Sequence, residues 1–174
     1  MTLRRHYRKK IGGVTFKSGG IYKFDYKAWE HDPRPVIIFM YAFSGTHPNT
    51  KRQWRFIQGI NFTYVPRAFR RLFATIWISK YGNATEFKRG QLDFTWNMVL
   101  RAYSYLRPAV RRYFYDPGYY ITNVEEVPFE DWEKEIMSTM SKDFSKKVRG
   151  ALKQKFKKAV GGLRKIRRLF GGRI

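Results

Sequence analysis

The chain of 174 residues has no cysteine. This excludes disulfides, thiolate metal sites and cysteine nucleophiles, and it removes redox usage as a guide to compartment. Acid is scarce as well: 13 Asp and Glu stand against 36 Lys and Arg, a formal net charge of +23. Self-repulsion at that level works against the folded state unless an anion is bound, so the imbalance predicts a polyanionic partner, with nucleic acid ahead of an anionic membrane surface. Long hydrophobic runs are missing: none approaches the roughly 20 residues needed to cross a bilayer. The basic start, Met1 to Lys10, is followed by no apolar segment of the kind that marks a secretory signal.

The usual catalytic signatures are also wanting. The three histidines, His6, His31 and His47, fall in predicted arms or turns, and none has a metal-type partner at i+3 or i+4. No glycine-rich loop precedes a helix at phosphate-binding spacing, and nothing marks a serine nucleophile. One enzyme reading stays open. Glu86-Phe87-Lys88 is an E-x-K triplet, as in nucleases where carboxylates hold Mg²⁺ and the lysine stabilises developing charge. It lies in a predicted loop rather than on a strand, with Asp25 and Asp32 as available acidic partners. The expectation is therefore a protein that is not an enzyme and carries no metal or cofactor.

What is present is aromatic. Aromatics are 18% of residues (15 Phe, 12 Tyr, 5 Trp), enough for a real core, and the length suits one compact domain plus an extension. The clearest strand signals run from Ile21 to Pro66. Ile21, Lys23, Asp25 and Lys27 alternate with Tyr22, Phe24, Tyr26 and Ala28, the period of a half-buried strand. Pro33 and Pro35 force a turn, and Val36 to Phe43 reads as a strand buried on both faces. A second turn at Ser44 to Thr50 leads to Trp54, Phe56, Ile60, Phe62 and Tyr64, an alternating set broken by Gln58, with Gly59 marking a bulge. These three strands predict a curled antiparallel meander.

Around it, residues 1–13 read as a basic arm, mobile when unbound and ended by Gly12-Gly13, with Val14 to Phe16 as a short strand. Pro66 suits the first turn of a helix to about Ser79, whose stripe is Ala68, Phe69, Leu72, Phe73, Ile76 and Trp77. Asp93 reads as the N-cap of a helix to Arg107 carrying Trp96, Val99, Leu100, Tyr103 and Leu106. Ala109 to Tyr115 continues as a short basic, aromatic helix or turn. Tyr119 to Val127 is a strand placed to close the sheet, and Pro128 opens a helix with Glu130, Asp131, Glu133 and Glu135 in its first turns.

From Phe144 the composition shifts. Phe144, Val148, Leu152, Phe156, Ala159, Leu163, Ile166 and Phe170 keep a helical stripe among Lys and Arg, and no acid follows Asp143. Three readings compete for residues 144–174: a docked amphipathic helix with a phosphate-binding outer face, a helix lying on anionic lipid, and a tail that folds on its partner. The candidate nucleic-acid-binding residues are Arg4, Arg5, Arg8 and Lys9 in the arm and Lys51, Arg52, Arg55, Arg67, Arg70, Arg71, Arg111 and Arg112 in the body. Lys153, Lys157, Lys158, Arg164, Arg167 and Arg168 complete the set in the tail. Trp29, Tyr113 and Tyr115 are the candidate exposed aromatics for stacking bases. No sequence-reading helix is evident, so binding is expected to be largely independent of sequence.

Phe24-x-Tyr26, Asp32-Pro33-x-Pro35 and Gly59-x-Asn61-x-x-Tyr64-x-Pro66 resemble motifs of small basic proteins of tailed bacteriophages, especially large myophages. The resemblance covers the first half of the chain. It implies a virion protein concerned with virion completion or with protecting packaged DNA ends, found in the virion and the host cytoplasm among other virion proteins.

The fold expected is α+β: a small curled antiparallel sheet or partly open barrel, of the Src-homology type, covered by helices at about 66–80 and 92–115. Residues 14–143 form this core domain and 144–174 the basic amphipathic extension. The function expected is binding of duplex DNA or DNA ends through charge. The alternative is a structural subunit of tail, baseplate or connector that docks acidic protein neighbours, with the acidic stretch Glu125 to Glu135 as an assembly element.

Overall fold

A computed structural model describes residues 4–28, 32–46, 49, 51–81, 89–115 and 120–139. The chain divides into two units, Met1–Ser141 and Lys142–Ile174, and every described residue belongs to the first. The predicted tail helix, the Glu86-Phe87-Lys88 triplet, Trp29, His31 and His47 lie outside the described residues.

The basic N-terminal stretch is built into the fold, not set off from it as a mobile arm. β1 (Arg4–His6) pairs antiparallel with residues 42–44 of the long central strand. β2 (Arg8–Ile11) and β3 (Val14–Lys17) form a hairpin whose turn is Gly12-Gly13, at φ +57 and +84. A two-residue turn of this kind needs positive φ at both central positions, which glycine adopts without a Cβ clash. The glycines thus mark a hairpin tip, and the arm-like composition hid two strands whose apolar side chains are few.

The meander follows as its alternation predicts. β4 (Ile21–Tyr26), β5 (Val36–Thr46) and β6 (Gln53–Asn61) pair antiparallel in sequence, β5 running on past the turn expected at Ser44. α1 (Arg67–Tyr81) opens directly after Pro66. α2 spans Arg89–Ala102, so Asp93 lies inside it and is not its N-cap. After α2 the chain makes a 3-10 helix, Ser104–Ala109, containing Pro108. It then enters β7 (Val110–Phe114), which pairs with β6, so the expectation of a helix or turn there is corrected. β8 (Ile121–Glu126) pairs with β4, and α3 (Trp132–Ser138) ends the described chain.

The strand order is β7-β6-β5-β4-β8, with β1 also beside β5. Strands β7 and β8 are opposite edges, so the sheet is strongly curled but open, and β8 extends it without closing it. Curling brings Phe24 and Tyr26 of β4 onto Tyr113 of β7, at ring separations of 5.2 and 5.0 Å, and the Phe114 N–H donates to Tyr26 Oη at 3.2 Å. The β2–β3 hairpin fills the concave side: Phe16 stacks on Tyr22 at 4.2 Å and meets Phe39 at 5.4 Å. On the convex side Ile21, Val36, Ile38, Met40 and Ile60 pack against Phe69, Phe73 and Trp77 of α1, Trp96 and Val99 of α2, and Trp132 and Ile136 of α3. Trp77 lies between Phe73 and Trp96, at 5.7 and 5.1 Å, and its indole N–H donates to the Gly19 carbonyl at 3.1 Å.

The predicted irregularity at Gly59 is a bulge on the facing strand. Phe39 is opposite Gly59 and Tyr41 opposite Gln58, which makes Met40 the extra residue. A Cβ at position 59 would lie 2.6 Å from the Ile38 carbonyl oxygen, so the close approach of the two backbones requires glycine.

Candidate nucleic-acid interface

Among the described residues, helices cover only half of the convex face. Cross-strand register sets out its residues in rows, successive rows about 7 Å apart along the strands. Ile38, Ile60 and Val110 form one row, inside the helix-covered core or packed against it. Tyr41, Gln58 and Arg112 form the next. There the Arg112 Nε–H donates to Gln58 Oε1 at 3.1 Å and Gln58 Nε2 donates to Tyr41 Oη at 3.3 Å. Burial, opposed by the nearby Arg5 charge, raises the Tyr41 phenol above its ordinary pKa, so it stays a neutral partner. Arg5, Phe43, Phe56 and Phe114 form a third row across β1, β5, β6 and β7, and Trp54 stands beyond it on β6.

Aromatic rings make this uncovered half continuous. Phe43 and Phe56 lie 4.8 Å apart, Phe56 and Phe114 6.0 Å, and Phe114 and Trp54 6.0 Å. Arginines lie over the same rings: the Arg112 guanidinium is 5.2 Å from the Phe56 centroid, and Arg5 is 5.2 Å from Tyr41 and 6.0 Å from Phe43. Phe43 and Phe56 are thereby buried, whereas Trp54 and Phe114 remain 38% exposed. None of the residues in these rows is acidic. A carboxylate meets them at the β1 end: Asp93 on α2 is 3.0 Å from Arg5 Nη1 and accepts from Tyr7 Oη at 2.5 Å. The tip of the β5–β6 hairpin continues the surface with Lys51, Arg52 and Arg55, all exposed.

Acid collects at the opposite edge. Lys23 on β4 bridges Glu135 at 3.0 Å and Glu125 at 3.4 Å, while Arg34 meets Glu125 at 2.6 Å and Asp25 at 3.8 Å. Glu126, Glu130, Asp131 and Glu133 belong to the same edge, on β8 and the start of α3. Acid thus gathers at the β8 edge, while Arg112 on β7 and Lys51, Arg52 and Arg55 at the β5–β6 end lie away from it.

The predicted residues sort accordingly. Arg4, Arg5, Arg8, Lys51, Arg52, Arg55, Arg67, Arg71 and Arg112 are exposed, and Lys9 and Arg111 are half-buried, Lys9 5.7 Å from the Tyr115 ring and Arg111 4.1 Å from the Tyr64 ring. Arg70 is not a surface contact. It is 1% exposed, its Nε–H donates to the Val65 carbonyl at 3.0 Å, and Nη1 donates to the Thr139 carbonyl, tying α1 to the end of α3. Desolvation, and then the charge of Arg67, pull its pKa below the ordinary value. Lys153, Lys157, Lys158, Arg164, Arg167 and Arg168 lie outside the described residues. Among the candidate aromatics, Tyr113 and Tyr115 are core residues. The exposed ones, Trp54 and Phe114, were signalled only by the period of two in 53–61 and 110–114, which places them on one face without saying what covers it.

Asp32 of the D-P-x-P stretch and Asn61 of the G-x-N-x-x-Y-x-P stretch meet elsewhere, in the core. Asn61 Nδ2 donates to Asp32 and, at 2.5 Å, to Tyr113 Oη, while Asn61 Oδ1 accepts from the Thr63 N–H at 2.8 Å. Asp32, Asn61, Thr63 and Tyr113 are all buried, and burial followed by the Asp32 charge holds the Tyr113 phenol well above its usual pKa. This network locks the proline turn to the end of β6. Among the described residues no group of three or more His, Asp or Glu side chains is placed to hold a metal ion, and no helix is long and apolar enough to cross a membrane. Comparison with family models, with curated proteins and with solved structures found no match to this chain.

Proposed function

We propose that this protein binds DNA, as duplex or at its ends, without reading sequence and without catalysis, as a component of a tailed-phage particle. The observation that carries the reading is the separation of charge. With most of the exposed acid gathered at the β8 edge, Arg4, Lys51, Arg52, Arg55 and Arg112 stand exposed away from it on a chain of net charge +23. Phosphate neutralisation relieves the self-repulsion and releases counterions, so binding is driven by salt-dependent entropy. The phage setting rests on the motif resemblance.

The test is fluorescence anisotropy of the full chain on a labelled duplex across a salt series. The expected result is a linear fall of log affinity with log salt, corresponding to roughly five or more phosphates, with binding still measurable near physiological salt. Binding that vanishes by about 0.1 M salt would be ordinary polycation behaviour and would overturn the reading. Replacing Lys157, Lys158, Arg167 and Arg168 with Gln should lower the slope if the tail contacts phosphate.

A second reading is favoured by one feature of α2. Phe94 and Met98, one turn apart, are 66% and 53% exposed, an apolar pair suited to a protein neighbour. Under this reading the chain is a structural virion subunit, and stoichiometric recovery in DNA-free particles would support it.

A further inference from the structure

We propose that the half of the convex sheet face that no described helix covers, built on Trp54, Phe114, Phe56 and Arg112, is a stacking platform for unpaired bases, so that the protein prefers DNA ends with single-stranded extensions to blunt duplex. The inference rests on the DNA-binding reading and names the part of the DNA that this face takes.

The observations are geometric. A sheet interior has one face to bury, and helices bury the Ile38–Ile60–Val110 row of this one. The next rows of the same strands carry aromatic rings 4.8 to 6.0 Å apart with guanidinium groups over them and no acid within the rows, Asp93 of α2 meeting Arg5 at the β1 end and Arg112 standing over Phe56 at the other. A protein neighbour would meet this as apolar surface, yet arginine alternates with the rings and the surrounding hairpin tip is basic, which suits an anionic chain bearing flat, apolar faces. Single-stranded nucleic acid has that composition: phosphates for Arg112, Lys51, Arg52 and Arg55, and bases for Trp54 and Phe114. Duplex DNA has its bases stacked internally and offers such rings only at a frayed end. Exposure also fits, because Trp54 and Phe114 each keep 38% of their surface open while the rings beneath them are buried and hold them in place.

The experiment uses the full chain near physiological salt with three labelled probes of equal phosphate number: blunt duplex, duplex with a ten-nucleotide extension, and oligo-thymidylate. The extension and oligo-thymidylate should bind about tenfold or more tighter than blunt duplex, the effect of one or two stacked bases. Binding of oligo-thymidylate should quench tryptophan emission. The double variant Trp54→Leu, Phe114→Leu keeps apolar bulk but removes the rings; it should lose the preference and the quenching while blunt-duplex affinity stays within about twofold. Arg112→Gln should weaken oligo-thymidylate binding with the preference reduced.

Equal wild-type affinity for blunt and extended ends overturns the platform and leaves the charge-based reading standing. So does a preference that survives the double variant, or a parallel loss on all three probes. If the wild type is a dimer that the double variant converts to monomer, the face belongs to a second copy and the proposal fails. No binding to any probe removes the DNA reading itself. Oligo-uridylate in a parallel arm shows whether the sugar matters, and equal quenching supports the base-stacking face for either nucleic acid.

Discussion

Along β5, β6 and β7 a single sheet face changes character within two rows. On one side of the Tyr41–Gln58–Arg112 belt it is aliphatic and lies under three helices; on the other it is aromatic, laced with arginine, and uncovered. β6 and β7 keep their alternation across the belt, and the Met40 bulge of β5 returns Tyr41 and Phe43 to the face that carries Ile38, so the backbone presents one face throughout and does not set its character. The side chains do. Branched aliphatics have no use for water and gain from a helix laid over them. Rings capped by guanidinium groups are satisfied with partial exposure, since the charged heads remain hydrated while their stems cover carbon. The comparison teaches that a hydrophobic sheet face is not one thing: the same period of two specifies a core on one side of Gln58 and a surface fit for a ligand on the other.

Two tryptophans give the largest test of that contrast. Trp77→Ala, in the covered half, removes a ring that is 1% exposed and stacked on two others, and should cost about 3–5 kcal/mol. Trp54→Ala, in the bare half, should cost under about 1 kcal/mol. Urea denaturation of both measures it, and comparable losses would mean that the bare half is core after all. Two arginines give the next. Arg70→Ala strands two carbonyls that a buried guanidinium now serves and should cost about 2–3 kcal/mol with nucleic-acid affinity unchanged in the folded protein. Arg112→Ala should weigh the other way, lowering affinity while costing only about 1 kcal/mol of stability through the lost bond to Gln58. Gly59→Ala probes the strand pairing beside the belt: its Cβ would meet the Ile38 carbonyl oxygen as well as the buried Ile37 side chain, so the strands must part, at about 1–3 kcal/mol by thermal or urea unfolding.

Much of the fold was legible because its signals are local. The alternation from Ile21 to Tyr26 and from Trp54 to Ile60 and the proline turn each lie within one window and appear where expected; the stripe of α1 does so through Phe69, Phe73 and Trp77, while Ala68 and Leu72 are exposed. Three features were not legible. Arg4, Arg5 and His6 carry no apolar residue, so their strand exists only through pairing with residues 42–44. Val110 to Phe114 comes soon after a proline and reads as a short helix or turn until Phe56 and Gln58 stand opposite Phe114 and Arg112. Arg70 sits among other arginines of α1, and only the arrival of Val65 and Thr139 buries it. As for the interface, composition announced basic residues but not which aromatics face water. Tyr113 is core and Phe114 is surface, adjacent residues separated by the pleat.

The smallest effect expected is also the one that reports most directly on unneutralised charge. His6, on β1, shares a hydrogen bond of 2.8 Å with Ser44 Oγ, and its pKa is lowered by burial first and then by the charges of Lys9 and Arg4. The folded state therefore binds a proton less readily than the unfolded chain, whose histidine titrates near 6.5. Above that pH His6 is neutral in both states and its contribution is intact. As pH falls through about 6.5 the unfolded chain takes up the proton first, so stability declines, and the decline is complete once pH is below the folded-state value. The common carboxylate titration cancels when wild type is compared with His6→Gln, so the stability difference between them should move in favour of the variant from pH 8 to pH 5. High salt divides the causes: at about 1 M the part due to Lys9 and Arg4 is screened and the part due to burial is not. A gap between the two proteins that changes less with pH in high salt than in low salt identifies the basic side of the sheet as the source; a gap indifferent to salt assigns the shift to burial and leaves that side's charges already balanced.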